Sequence, residues 1–135
     1  MIKTNAYAAQ SATSPIAPFT IERREPLEHD VAIDILYCGI CHSDIHQARN
    51  EWGGGSLYPM VPGHEILGRV SKIGAKVSKF KIGELVGVGC FVDSCRKCHS
   101  CPDGLEQYCE EGFLATYNGN ARNPSDANQT YGGYS

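Results

Sequence analysis

Four cysteines, Cys95, Cys98, Cys101 and Cys109, crowd into one short stretch with the spacing Cys-x2-Cys-x2-Cys-x7-Cys. Thiolates this close can wrap one ion from a short loop, and zinc prefers tetrahedral coordination by such sulfurs. Four protein ligands leave no position for water or substrate, so this site reads as structural. An iron–sulfur cluster uses a similar run. The x7 gap and the lack of a second cluster motif weigh against it, and a set of free thiols is the bland alternative. A disulfide framework would spread its cysteines to staple distant loops. Arg96, Lys97 and His99 interleave the ligands and are placed to soften the charge of the thiolates.

A second constellation is looser. Cys41 and His64 fall at expected strand–loop junctions beside two carboxylates, Asp44 and Glu65. A catalytic zinc takes three protein ligands and keeps one open position. Here Cys41 and His64 are the strong candidates and Glu65 offers an oxygen. An isolated Cys or His is more often packed or solvated than metal-bound, so composition alone does not establish this site.

The elements that must position these residues are mostly strands. Val31–Cys38 is rich in β-branched residues and predicts a strand closed by Gly39. Thr20–Arg24 predicts a short strand, Glu65–Ile73 another, and Glu84–Cys90 a third. Ser43–Asn50 can form about two helical turns with Ser43 as N-cap. Residues 51–63 hold three consecutive glycines and two prolines and predict a loop. The polar stretch Asn118–Thr130 reads as irregular, and Tyr131–Ser135 as the approach to a further strand. Cys38 and Cys90 fall in strand patterns and read as buried thiols. The fold class expected is mostly β: a small, partly open barrel with short helices and long loops.

The 135 residues suffice for one domain with a core, and a net charge of -3 argues against nucleic acid or an anionic membrane as the main partner. No apolar run is long enough to span a bilayer, and the start lacks the apolar core of a secretory signal. The cytoplasm is therefore the expected location.

The motifs stand in a telling order. Gly39-Ile40-Cys41-His42-Ser43-Asp44-Ile45-His46 comes first. Gly63-His64-Glu65-Ile66-Leu67-Gly68 follows, with Gly74 and Val77 fitting G-H-E-x2-G-x5-G-x2-V. Gly83 to Cys90 then leads into the four-cysteine lobe, residues 90–111. This series resembles the zinc-containing medium-chain alcohol dehydrogenases over most of the chain. With Trp52, Tyr58-Pro59 and Val61-Pro62-Gly63-His64-Glu65, it is most similar to the cinnamyl alcohol dehydrogenase and bacterial aldehyde reductase branch.

The resemblance implies a GroES-like catalytic domain over residues 1–135 with two zinc ions, one catalytic and one structural. It implies that Cys41 and His64 bind the catalytic zinc, with Glu65 able to exchange in as ligand and Asp44 holding the histidine's tautomer. Ser43 would take the alcohol proton and His46 pass it to solvent. His42 would lie near the cofactor pyrophosphate and Trp52 would line the substrate pocket. The reaction implied is hydride transfer between primary alcohols or aldehydes and NADP or NAD, with a homodimer as the expected full-length assembly. The family's third zinc ligand and its glycine-rich dinucleotide fingerprint have no match here. The expectation is a fragment without turnover of its own, its Rossmann domain and third ligand lying beyond residue 135. A rival from another class, a non-enzymatic zinc module, needs only the four-cysteine lobe. A quinone oxidoreductase relative is disfavoured because such relatives lack the zinc ligands present here.

Overall fold

The computed structural model describes residues 1–120, 122 and 129–135. Strand β1, Ile2–Ala8, pairs antiparallel with β2, Ala17–Arg23. Strands β3, Val31–Cys38, β4, Ile66–Ile73, and β5, Leu85–Val88, form an antiparallel sheet in that order. Strands β6, Phe91–Asp93, and β7, Leu114–Ala115, pair across the base of the cysteine lobe. The one α-helix among the described residues, α1, covers His42–Ala48. The sheets are open rather than closed into a barrel, and the mostly β expectation holds.

Strand β1 was not foreseen. Its buried residues are Ala6 and Ala8, and small side chains leave little apolar alternation to read. Strand β2 starts three residues earlier than expected because its early residues pair with β1. Helix α1 also starts earlier. Cys41 is the N-cap, and its N–H donates to the Asp44 carboxylate at 2.9 Å. The acid at the third helical position thus caps the helix, and Ser43 lies inside the first turn rather than at the cap. Cys38 is half-buried, but Cys90 is exposed, because β5 ends at Val88 and Cys90 falls in the gap before β6. The expected irregular stretch Asn118–Thr130 falls partly outside the described residues. Its edges meet in a bridge between Asn120 and Gln129.

Sheet register gathers the motifs. Cys38 at the end of β3 lies opposite Ile66 at the start of β4, and Ile66 lies opposite Val88 at the end of β5. The segments leading to Cys41, away from His64-Glu65, and on to Cys90 therefore leave one edge of one sheet. The Gly39 N–H extends the ladder by bonding to the Glu65 carbonyl at 2.9 Å.

Two small apolar clusters support this edge. One joins Ala6, Ala8, Ile21 and Val61, with Phe19, Tyr131 and Tyr134 against it. The other joins Ala9, Ala48 and Met60, with Tyr58 and Tyr117 against it. Tyr131–Ser135 forms no named strand but runs back along the fold. Gly132, Gly133 and Tyr134 donate to the carbonyls of Val61, Gly63 and Pro62, and Tyr7 donates to that of Tyr134.

Gly68 is buried in the middle of β4, where an added Cβ would collide with Ile33 and stand 2.7 Å from the Asp34 carbonyl oxygen. Replacing Gly68 with Ala should destabilise the chain by about 1–3 kcal/mol through overpacking. Urea unfolding would measure this, and an unchanged midpoint would contradict the packing described.

Candidate functional site

Asp44 is 1% exposed, and its two carboxylate oxygens serve different segments. Oδ2 accepts the Cys41 N–H, and Oδ1 accepts the Gly63 N–H at 2.8 Å. His64 Nδ1 stands 3.3 Å from Oδ1. A proton on Nδ1 facing this carboxylate leaves the other ring nitrogen as a lone-pair donor, as a metal site requires. Gly63 admits no side chain. Its φ is +104°, and a Cβ would stand 2.7 Å from Cys38 Sγ and 2.8 Å from the Tyr134 ring. The residue just before His64 is thereby wedged against β3 and Tyr131–Ser135.

Ligand atoms of Cys41, His64 and Glu65 all lie within 4.8 Å of one another. Sulfur, nitrogen and oxygen around one tetrahedral zinc are separated by roughly 3.3–3.6 Å. The donor set therefore fits a zinc ion after small side-chain adjustments. These residues line a cleft of about 570 Å³ with Ser43, Ile66, the 87–89 backbone and Cys90. An open cleft over a three-ligand set suits a metal that must meet a substrate.

Ser43 reaches the cleft; His46, one helical turn on, does not line it. His46 Nδ1 instead meets Glu51 Oε2 at 2.6 Å. The His46 ring stacks on His42 with centroids 4.4 Å apart and meets Trp52 edge-on at 5.8 Å. Trp52 is 60% exposed and is not among the residues lining the cleft. Glu51 escaped the sequence reading because it follows α1 in a loop; the turn at Asn50, whose φ is +59°, precedes it. Tyr117 was missed as well. Its ring tilts against that of His64 at 5.2 Å, and burial raises its phenol pKa, with nearby Asp44 adding to the rise.

The sulfurs of Cys95, Cys98, Cys101 and Cys109 also lie within 4.8 Å of one another. Sulfurs on a tetrahedral zinc sit about 3.8 Å apart, given Zn–S bonds near 2.3 Å. The Cys95–Cys101 separation is 3.9 Å and the Cys98–Cys101 separation 3.4 Å. Backbone N–H groups already face the sulfurs: Cys98 donates to Cys95 Sγ at 3.3 Å and Cys95 to Cys109 Sγ at 3.4 Å. A backbone bond from Glu110 leads the effects that push the Cys98 thiol down to about 6. The Ser94 hydroxyl lowers Cys101, but desolvation and the contact with Cys98 outweigh it and take that thiol up to about 11. Four thiols this close compete for ionisation, and a cation at their centre would favour the thiolate at each. Arg96 and Lys97 pair with Asp93 at 2.8 Å and Glu111 at 3.1 Å.

Removing the Asp44 carboxylate by substitution to Ala would leave the Cys41 and Gly63 N–H groups without their acceptor. The expected cost is about 2–6 kcal/mol, since each of the two unsatisfied buried donors costs about 1–3 kcal/mol. Chemical denaturation of the variant would measure it, and a loss below about 0.5 kcal/mol would refute this role.

Residues 27–135 match the family described as the alcohol dehydrogenase GroES-like domain. The chain is 57% identical over 130 residues to NADP-dependent alcohol dehydrogenase C of Mycobacterium bovis, covering 96% of this chain and 36% of that protein. It is 53% identical over 134 residues to the aldehyde reductase YahK of Escherichia coli, covering 99% and 37% respectively. A cinnamyl alcohol dehydrogenase structure from Sorghum bicolor superposes with a TM-score of 0.91 at 44% identity, over 98% of this chain and 37% of that one. The chain thus spans little more than a third of the length of these relatives.

Proposed function

Because the chain belongs to the alcohol dehydrogenase GroES-like domain family, we propose that it is the zinc-binding, substrate-handling part of an NADP-dependent alcohol dehydrogenase. The reaction is the interconversion of primary alcohols and aldehydes. The observation that carries this reading is the convergence of Cys41, His64 and Glu65 over an open cleft, with Asp44 behind them. A non-enzymatic zinc module would need only the cysteine lobe.

Cys41 and His64 hold the catalytic zinc, with Glu65 as an oxygen donor that can give way. A zinc ion there supplies Lewis acidity towards an alcohol or carbonyl oxygen. Asp44 keeps His64 in the tautomer that can bind. Ser43, on the cleft wall, takes the substrate hydroxyl proton. His46 carries it outward, and Glu51, bonded to His46 Nδ1, orients the imidazole. His42 is exposed beside His46 and serves the cofactor phosphates, while Trp52 contributes to substrate contact. Cys95, Cys98, Cys101 and Cys109 hold a second, structural zinc. When bound, a nicotinamide cofactor, NADP by preference over NAD, would supply the hydride chemistry. No glycine-rich dinucleotide fingerprint occurs in this sequence, so the chain by itself turns over no alcohol. The setting proposed is cytoplasmic and the assembly a homodimer, with neither nucleic acid nor membrane as a partner. Among the described residues no helix is long and apolar enough to cross a membrane.

Elemental analysis of the purified chain should give about two zinc ions, one for each donor set. His64→Ala and Cys41→Ser should each lower this to about one, with the circular dichroism spectrum unchanged. A wild-type value of about one, insensitive to both substitutions, would show that Cys41 and His64 hold no zinc in this chain alone.

Activity is tested by exchange. Replacing the matching segment of the E. coli aldehyde reductase with this chain should retain NADPH-dependent aldehyde reduction. Cys41→Ser in that chimera should lower kcat/KM at least about 100-fold. A soluble, zinc-loaded chimera with no activity would count against the proposed function.

A further inference from the structure

We infer that Tyr117 is a positioning residue for His64, its ring packing against the imidazole so that, with Asp44 on the other contact, one orientation is held. The inference rests on the proposed role of His64 as a zinc ligand, and it deepens that role.

Tyr117 is built into the fold on both sides. Thr116, before it, is buried; its N–H donates to the Cys90 carbonyl at 3.1 Å and its hydroxyl to the Gly89 carbonyl at 2.6 Å. Asn118, after it, adopts a left-handed φ of +56°. The Asn118 N–H donates to the Thr130 carbonyl, and its side-chain oxygen accepts the Leu57 N–H at 2.6 Å. The three residues thus stitch the end of β5 to the loop before His64. These anchors fix the backbone on either side of Tyr117, whose side chain is half-buried. Its ring packs on the Ala9, Ala48 and Met60 cluster and lies against His64 with an interplanar angle of 53°.

A histidine ligand must hold its ring against rotation as well as fix its tautomer. Asp44 meets one ring nitrogen at 3.3 Å and so favours one tautomer, but a single contact leaves the ring able to rock about it. A fixed aromatic neighbour restricts that motion. Such supporting groups typically change metal affinity 10–100-fold. The geometry assigns the effect to the ring rather than to the phenol oxygen, so Phe should replace Tyr and Ala or Leu should not.

The test compares wild type, Tyr117→Phe, Tyr117→Ala and Tyr117→Leu, the last keeping apolar volume in case the Ala variant fails to fold. The first readout is the long-range nitrogen–proton NMR spectrum of the metal-free chain, with the His64 signals identified by their loss in His64→Ala. Wild type and Tyr117→Phe should show one tautomer for His64. The Leu and Ala variants should keep that tautomer, which Asp44 sets, but show His64 ring signals broadened by ring motion, while keeping the wild-type circular dichroism spectrum. The second readout is cobalt titration, where affinity for the ion at Cys41 and His64 should fall about tenfold in Leu and Ala and stay within about twofold in Phe.

If wild type binds no metal at His64 but the NMR pattern separates Phe from Leu and Ala, the positioning role stands and the zinc reading falls. If folded Leu and Ala variants keep the wild-type His64 signals, or if Phe loses them too, the positioning role is overturned.

Discussion

A single buried carboxylate ties the site together. Asp44 accepts N–H groups from Cys41 and Gly63 and faces the His64 imidazole. Burying a carboxylate is costly unless donors surround it, and here the donors are the backbone on which the candidate ligands stand. Cys41 is itself one of those residues and His64 directly follows the other. Satisfying Asp44 and placing the candidate ligands are therefore one structural event, which makes their arrangement a property of the folded chain.

The remaining architecture keeps these segments in register. The sheet β3-β4-β5 brings three segment ends to one edge. The 61–63 backbone is held from behind by residues 132–134. Arg23 secures that arrangement, its guanidinium donating to the carbonyls of Tyr131 and Gly132 and to Ser135 Oγ. Burial lowers the Arg23 pKa, because desolvation disfavours the charged form. The cysteine lobe stands apart on its own two-stranded ladder, β6 and β7, which suits an element that stabilises rather than reacts.

Much of this was legible in the sequence where a residue type carries its chemistry openly. Close-set cysteines read as one ion's ligands, and their sulfurs converge. The β-branched run Val31–Cys38 read as a strand at its observed bounds. What escaped depends on pairing, capping and packing that residue patterns do not mark. Strand β1 hides behind alanines. Cys90 looked buried because a strand pattern was carried two residues too far. Helix α1 was started at Ser43 because a hydroxyl is the usual cap, whereas Asp44 caps by reaching back to Cys41. Tyr117 and Glu51 sit in irregular backbone, where no periodicity marks a side chain, and only the fold reveals that they meet His64 and His46.

The most direct test of a preformed Cys41–His64 site is zinc-edge X-ray absorption on the chain loaded with zinc to saturation. If both donor sets are filled, five sulfurs are shared between two ions, and the mean coordination is about 2.5 sulfurs with nitrogen or oxygen completing each shell. Such a mixed shell, with an imidazole scattering signature that disappears in His64→Ala, is the predicted result. A shell of about four sulfurs and no imidazole would show that only the cysteine lobe binds zinc, contradicting a metal site organised by Asp44 and its neighbours.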